Sequence, residues 1–206
     1  MRGSMRLVPP VVLVFVVAAL ATACIIGGHT RRAQRPGDLD FKLGPFTYLE
    51  EGKLVSLTVG AEAARYRENE KFMPLQVCFA NRGAPTLVVT RESFVLQDEN
   101  GKRYPLASLS EVGASYGPSL MDRRFSTTFD ISRSRLPTFD RVESNFFPER
   151  ASGGIVTDRV ELPRYYYMLD LLYFPHPDDV ILGRRFELHV KPRGVEDEFF
   201  VKFLVD

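Results

Sequence analysis

Gly113-Ala114-Ser115-Tyr116-Gly117 is the stretch of this chain with the plainest chemical potential. A serine at this spacing between glycines has the form of a nucleophile elbow. The glycines let a strand turn sharply into a helix and leave the hydroxyl exposed beside backbone N–H donors. Candidate triad partners follow Ser115 in workable chain order, with Asp170 or Asp178 as the acid and His176 or His189 as the base. The surroundings argue against catalysis. Pro118 follows the second glycine, no alternating strand and helix units flank the motif, His176 lies between two prolines, and His189 falls on the polar side of a strand pattern. The motif reads as a glycine-rich loop; a serine hydrolase using Ser115 is the runner-up, and no residue is assigned as catalytic.

Metal and cofactor chemistry finds less support. A zinc site needs three or four converging His, Cys or carboxylate ligands, whereas His29, His176 and His189 are scattered and Cys78 has no partner close in sequence. Asp98-Glu99-Asn100-Gly101 echoes the start of a calcium loop but lacks the later ligands, so it reads as a hairpin turn. Asp178-Asp179 after Pro177 reads as a solvated turn. No metal and no cofactor are expected, and the chain is read as a non-enzyme.

The remaining thiol, Cys24, is the most informative residue. Val11 to Leu20 is almost all Val, Leu, Phe and Ala, is preceded by Arg2 and Arg6 without an acid, and leads through small residues to Cys24. That is the form of a signal peptide over residues 1–23. A spanning helix needs about 20 apolar residues, a length reached here only by including Pro9-Pro10, which suit the first turn of a helix and not its interior. An uncleaved anchor is the competing reading. Leu20-Ala21-Thr22-Ala23-Cys24 resembles the lipobox of bacterial lipoproteins, although Ala21 stands where Leu, Val or Ile is usual. The resemblance implies cleavage before Cys24 and acylation of its sulfur. Ile25 after the cysteine, where an Asp would favour retention at the inner membrane, favours the outer membrane.

Residues 24–37 carry Gly27-Gly28, Pro36-Gly37 and Arg31, Arg32 and Arg35, the composition of a flexible tether. Each arginine near anionic headgroups contributes about 1 kcal/mol of attraction. Residues 38–206 are read as a single domain. Hydrophobic residues make up 45% and aromatics 12% of the chain, enough for a core without a disulfide, because Cys78 is the only other cysteine. The formal charge of +1 carries no field for nucleic acid, and no nucleic-acid partner is expected.

The elements that must position these residues follow a period of two from Phe41 onward. Val55, Leu57 and Val59 alternate with polar residues, and Leu75, Val77 and Phe79 share a face. Phe125, Thr127, Phe129 and Ile131 predict another strand, and Tyr165, Tyr167, Leu169, Leu171 and Tyr173 predict the core face of another. Tyr166 and Met168 are left on its less explained side. Phe186, Leu188 and Val190 oppose Arg185, Glu187, His189 and Lys191, and Phe199 to Val205 ends the chain. Short strands punctuated by Gly, Pro and Asn predict an all-β antiparallel sandwich or barrel. Leu75 to Gly83, an alternating strand running into Asn81-Arg82-Gly83, is followed by Ser93 to Tyr104, where a Phe-x-Leu strand leads into Asp98-x-x-Gly101-x-x-Tyr104. Together these stretches resemble the immunoglobulin-like extracellular domains of bacterial lipoproteins. The resemblance implies an immunoglobulin-like antiparallel β-sandwich and no catalytic residues. Two long insertions, Ser108 to Arg124 and Ser132 to Pro163, depart from that pattern.

The second insertion supplies the candidate partner surface, Phe139, Phe146, Phe147, Arg135 and Arg141. Aromatic anchors mixed with arginine are enriched at protein interfaces; the competing reading plugs Phe146-Phe147 into the end of the sandwich. Cys78 is expected to be buried, as free cysteines usually are. The functional expectation is a membrane-anchored envelope lipoprotein that binds an unidentified protein or other envelope partner. A structural subunit of an envelope complex is the further alternative.

Overall fold

Neither face of the central strands is wet, and that explains the architecture. A computed structural model describes residues 41–126, 136–148, 155–177 and 180–206. Strands β1 (Phe41–Gly44), β2 (Thr47–Glu51), β3 (Val55–Gly60) and β4 (Phe72–Asn81) form an antiparallel meander. Two further strands, β5 (Thr86–Thr90) and β6 (Phe94–Asp98), lead to β7 (Arg103–Pro105). After the first insertion come β8 (Asp140–Arg141), β9 (Arg159–Pro163), β10 (Tyr166–Pro175), β11 (Arg185–Val190) and β12 (Phe199–Leu204). One sheet has the order β1-β2-β3-β4-β10-β8, a second β12-β11-β6-β7, and β5 pairs with β9. The two larger sheets face each other across rings such as Tyr48 against Phe203 and Phe79 against Phe199, both 6.3 Å apart. This is the all-β antiparallel sandwich the alternation predicts, and Leu39–Asp206 forms one compact unit.

Register decides which side chains meet. Along β4 and β10, Met168 lies opposite Phe79, Leu172 opposite Leu75 and Phe174 opposite Met73, and cross-strand partners share a face. Those residues are fully buried in the main core. The inner face of β10 thus carries Met168, Leu172 and Phe174; of the expected set Tyr165, Tyr167, Leu169, Leu171 and Tyr173, only Leu171 and Tyr173 join the main core. The misassignment has a physical cause, since the outer face is covered as well. Tyr167, Cys78 and Ala80 form a second apolar cluster with Leu136, against which Phe139 and Leu169 pack. Cys78 is buried there, as expected of its strand.

The first insertion is helical, and its second helix runs into the start of the strand predicted from Phe125. Ser108 caps α1 (Leu109–Ser115): its Oγ accepts from the Glu111 N–H and the Glu111 carboxylate accepts from the Ser108 N–H, a reciprocal capping box. The helix α2 (Ser119–Ser126) starts on Pro118, whose carbonyl accepts from Met121 and Asp122. Phe125 therefore lies on a helix; the remainder of the predicted strand, Thr127, Phe129 and Ile131, falls outside the described residues.

Two turns hold the pattern in register. Gly101, at φ +82°, sits in the hairpin between β6 and β7, where Asp98 Oδ1 accepts from the Asn100 and Lys102 N–H groups. At Gly83 a Cβ would stand 2.8 Å from the Lys53 carbonyl oxygen, so only glycine fits.

Candidate functional site

The insertions meet the sandwich through buried charge. Asp122 of α2 is fully buried and accepts from Arg67 Nε at 2.7 Å and from the Tyr116 hydroxyl at 2.7 Å. Arg67 follows the short 3-10 turn Ala64–Tyr66, so this pair joins the turn after β3 to α2. Burial pushes the Asp122 carboxyl up, while Tyr116 and Arg67 pull it back. Burial also raises the Tyr116 and Tyr173 phenols well above their ordinary values, so both stay protonated. The ring of Tyr116 meets Phe72 at 5.5 Å and Tyr173 at 5.3 Å, both edge-on, which seats the end of α1 on the outer face of the first sheet.

The second insertion is tied down in the same way. Asp170, buried on β10, accepts from the Phe146 N–H at 2.9 Å and the Leu171 N–H at 2.8 Å, and its carboxyl is raised chiefly by burial. Arg91 donates to the Phe146 carbonyl at 2.7 Å, and Arg123 donates to the Phe147 carbonyl at 2.5 Å. Phe146 and Phe147 are 0% and 3% exposed, meeting Phe94 at 5.8 Å and Tyr173 at 5.1 Å. They close the edge of the sandwich and are not available as surface, which corrects their assignment to a partner face. Sequence spacing hides this, because the donors come from Arg91 and Arg123, remote in the chain.

Arg141 does lie at the surface, and Phe139 is partly buried beside it. The segment around β8 runs parallel beside β10: Asp140 N–H donates to the Tyr165 carbonyl and Val142 N–H to the Tyr167 carbonyl. Phe139 meets Tyr165 edge-on at 5.6 Å, the Arg164 guanidinium lies 4.8 Å from the Tyr165 ring centre, and exposed Arg141 donates to the Leu169 carbonyl. Tyr165 is 48% exposed and has φ 66°, the only non-glycine left-handed residue among those described. A side chain there costs roughly 1–2 kcal/mol. Its N–H donates to the Asn81 carbonyl at 2.8 Å, which holds the strained turn. Nothing in the residue types marks this position beforehand, since Tyr is not a left-handed residue by preference. Arg135 lies outside the described residues.

The other candidates are dispersed. Ser115 ends α1 instead of standing on a strand-to-helix turn, and its Oγ donates to the Glu111 carbonyl at 2.8 Å. His189 is nearly buried on β11 between Glu187, at 3.1 Å, and Glu198, at 3.3 Å. His176 borders a cleft of about 490 Å³ with Glu68, Lys71 and Val180, but the Glu68 carboxylate is occupied by the Ile181 and Leu182 N–H groups. Among the described residues no group of three or more His, Cys, Asp or Glu is placed to hold a metal ion, and no helix is long and apolar enough to cross a membrane. Cys24 and its tether lie outside the described residues.

The fold and site define a two-sheet antiparallel sandwich with an aromatic–arginine surface on one insertion. No family model matches the chain, and no curated protein does. Among solved structures it is similar to ycdA from Bacillus subtilis, described as a candidate lipoprotein, at 12% identity and a TM-score of 0.40. That match covers 75% of this chain and only 38% of ycdA. It is also similar to yjhA from Bacillus subtilis at 11% identity and a TM-score of 0.39, covering 75% and 95% of the two chains. A DUF4426-family protein from Pseudomonas aeruginosa follows at 12% identity and a TM-score of 0.29, covering 78% and 97%. Superpositions this loose carry no residue or role across.

Proposed function

We propose that this chain is a lipid-anchored protein of the bacterial cell envelope that acts by binding a partner, not by catalysis. The observation that carries the anchor is Cys24 itself, at the end of an acid-free apolar run with small residues before it. Ile25 favours the outer membrane over the inner. The partner surface is the cluster of Phe139, Tyr165, Arg164 and Arg141. Supporting it, an exposed aromatic is held in a left-handed turn that glycine would occupy without strain, and such strain gathers at working sites.

Intact-mass measurement of the mature chain beside a Cys24→Ser variant tests the anchor. The expected parent mass lacks residues 1–23 and carries acyl chains; a mass that keeps those residues, or shows no lipid, overturns the reading. For the surface, a photo-crosslinking residue replacing Tyr165 is expected to capture a protein that the same residue at Ser115 does not. Stable, stoichiometric co-purification would make the chain a structural subunit of a complex. Labelling of Ser115 by a fluorophosphonate would sink the binding-only reading.

A further inference from the structure

A second exposed patch, on the first insertion, has a different composition. Leu120 and Met121 on α2 are 56% and 45% exposed, and Tyr66 of the neighbouring 3-10 turn is 49% exposed. The Tyr66 ring stacks on Phe125 at 4.5 Å and 21°, and Met121 stands one helical turn before Phe125. Arg65 places its guanidinium 4.3 Å from the ring centre of Phe46 and 5.3 Å from that of Tyr66. The patch is thus continuous from the β1–β2 turn to α2. The sole acid of α2, Asp122, is turned inward onto Arg67 and Tyr116. The outward side of the helix is left with Leu120, Met121 and exposed Arg124.

We infer that this patch rests on the anionic lipid surface to which the chain is tethered, with Leu120 and Met121 entering the headgroup boundary and the flanking arginines meeting lipid phosphates. An apolar helix face bordered by arginine, its own acid turned inward and Glu62 near Phe125 at one edge, fits a helix that lies in the plane of a membrane interface, and aromatic rings and arginine stems suit that boundary. The bilayer is the fitting occupant because of what precedes β1. Sixteen residues, 25–40, can reach at most roughly 53–58 Å even fully stretched at ~3.3–3.6 Å each, so a membrane at Cys24 stays within constant reach. Phe46 lies in the turn directly after the strand that this tether enters, and Arg31, Arg32 and Arg35 add charge of the same sign.

This inference rests on the anchor reading, and its test is separable from it. The chain from Cys24 to Asp206 carrying Cys24→Ser, which has no lipid but keeps the tether and the compact unit, is sedimented with vesicles of phosphatidylcholine alone or mixed with phosphatidylglycerol. Sedimentation with the anionic vesicles is expected, weakened by salt and lowered about tenfold or more by Leu120→Glu with Met121→Glu. Both side chains are exposed, so the circular dichroism spectrum should be unchanged; if that variant does not fold, Arg124→Glu is read instead, with a smaller loss expected. The inference is overturned if the anionic vesicles do not bring the protein down, or if the folded double variant sediments equally well. Self-association in ultracentrifugation that the same substitutions abolish would overturn it in favour of a second copy of the chain. Absence of lipid on native Cys24 removes the anchor and leaves the vesicle result to be judged alone.

Discussion

Phe139 and Phe146 lie on one short segment, each close to arginine, yet they meet opposite fates. At Phe146 the backbone carries the arginine bond: Arg91 takes its carbonyl while Asp170 takes its N–H, and the ring, relieved of unsatisfied polar neighbours, fills the space beside Phe94. At Phe139 the ring packs partly buried against the Leu136–Tyr167 cluster and meets the edge of Tyr165, whose other neighbour is the Arg164 guanidinium and which stays exposed. Aromatic and arginine content therefore does not separate an interface from a plug. What separates them is whose carbonyl the arginine takes: Arg91 and Arg123 bond the carbonyls of Phe146 and Phe147 themselves, whereas Arg141 bonds Leu169 and Arg164 bonds Arg82. Where the aromatic's own carbonyl is satisfied the residue can be buried, because a buried unpaired carbonyl costs about 1–3 kcal/mol.

The largest test of this contrast is Phe146→Ala beside Phe139→Ala. Removing a fully buried phenylalanine costs roughly 3–5 kcal/mol, whereas the partly buried Phe139 should cost less, roughly 1–2 kcal/mol. Urea denaturation of the two variants measures both. Comparable losses would mean that the two ends of the segment are packed alike and would dissolve the contrast.

How much of this was legible in the sequence depends on how many layers cover a strand. On β11 one face is apolar and the other charged, so Phe186, Leu188 and Val190 could be placed in the core from period two alone, and on β12 Val201 and Phe203 follow the same period although Phe200 and Leu204 flank Lys202 on its other face. On β10 both faces are apolar because Leu136 and Phe139 lie over its outside, and alternation cannot choose between two covered faces. Helix α1 did carry a signal, the capping box from Ser108 to Glu111, but α2 was masked by Phe125 spaced like the start of a strand. At the candidate surface, Phe139 and Arg141 were legible by type. Tyr165 was legible only as a strand residue, since its backbone conformation is imposed by Asn81 and Asp140 from other elements.

The buried charges that tie the insertions down sharpen the comparison through pH. Asp122 and Asp170 have folded-state values raised above the ordinary 3.8, in both cases chiefly by burial. As pH climbs past 3.8 the unfolded chain releases these protons first, so both groups lower stability until the pH passes their folded values. Glu198, on the face of the second sheet, has the opposite sign. Desolvation opposes its ionisation, but the Arg103 bond and the His189 charge prevail and hold it below 4.5. Its contribution is present above 4.5 and lost as pH falls through its folded value. Asp170→Asn and Asp122→Asn should each flatten the decline in stability above pH 3.8, and Glu198→Gln should weaken the gain near 4.5. Denaturation midpoints across that pH range check this, and unchanged slopes in the aspartate variants would show that their burial is not what the pH profile reports.

The smallest effect bears on the exposed side of the contrast. Tyr165→Ala removes the ring but leaves a side chain at φ 66°, whereas Tyr165→Gly removes both the ring and the strain. The ring's contacts with Phe139 and Arg164 are lost equally in the two variants, so their difference isolates the backbone. Left-handed relief of roughly 1–2 kcal/mol, offset by the roughly 0.5–1 kcal/mol that glycine loses on ordering, leaves the glycine variant ahead by up to about 1.5 kcal/mol. Partner capture should fall to the same extent in both. A turn kept for stability would instead make the parent the most stable of the three and leave capture intact. A more stable glycine variant that no longer holds its partner would mean that the tyrosine is retained, at a cost in stability, for what its exposed ring touches.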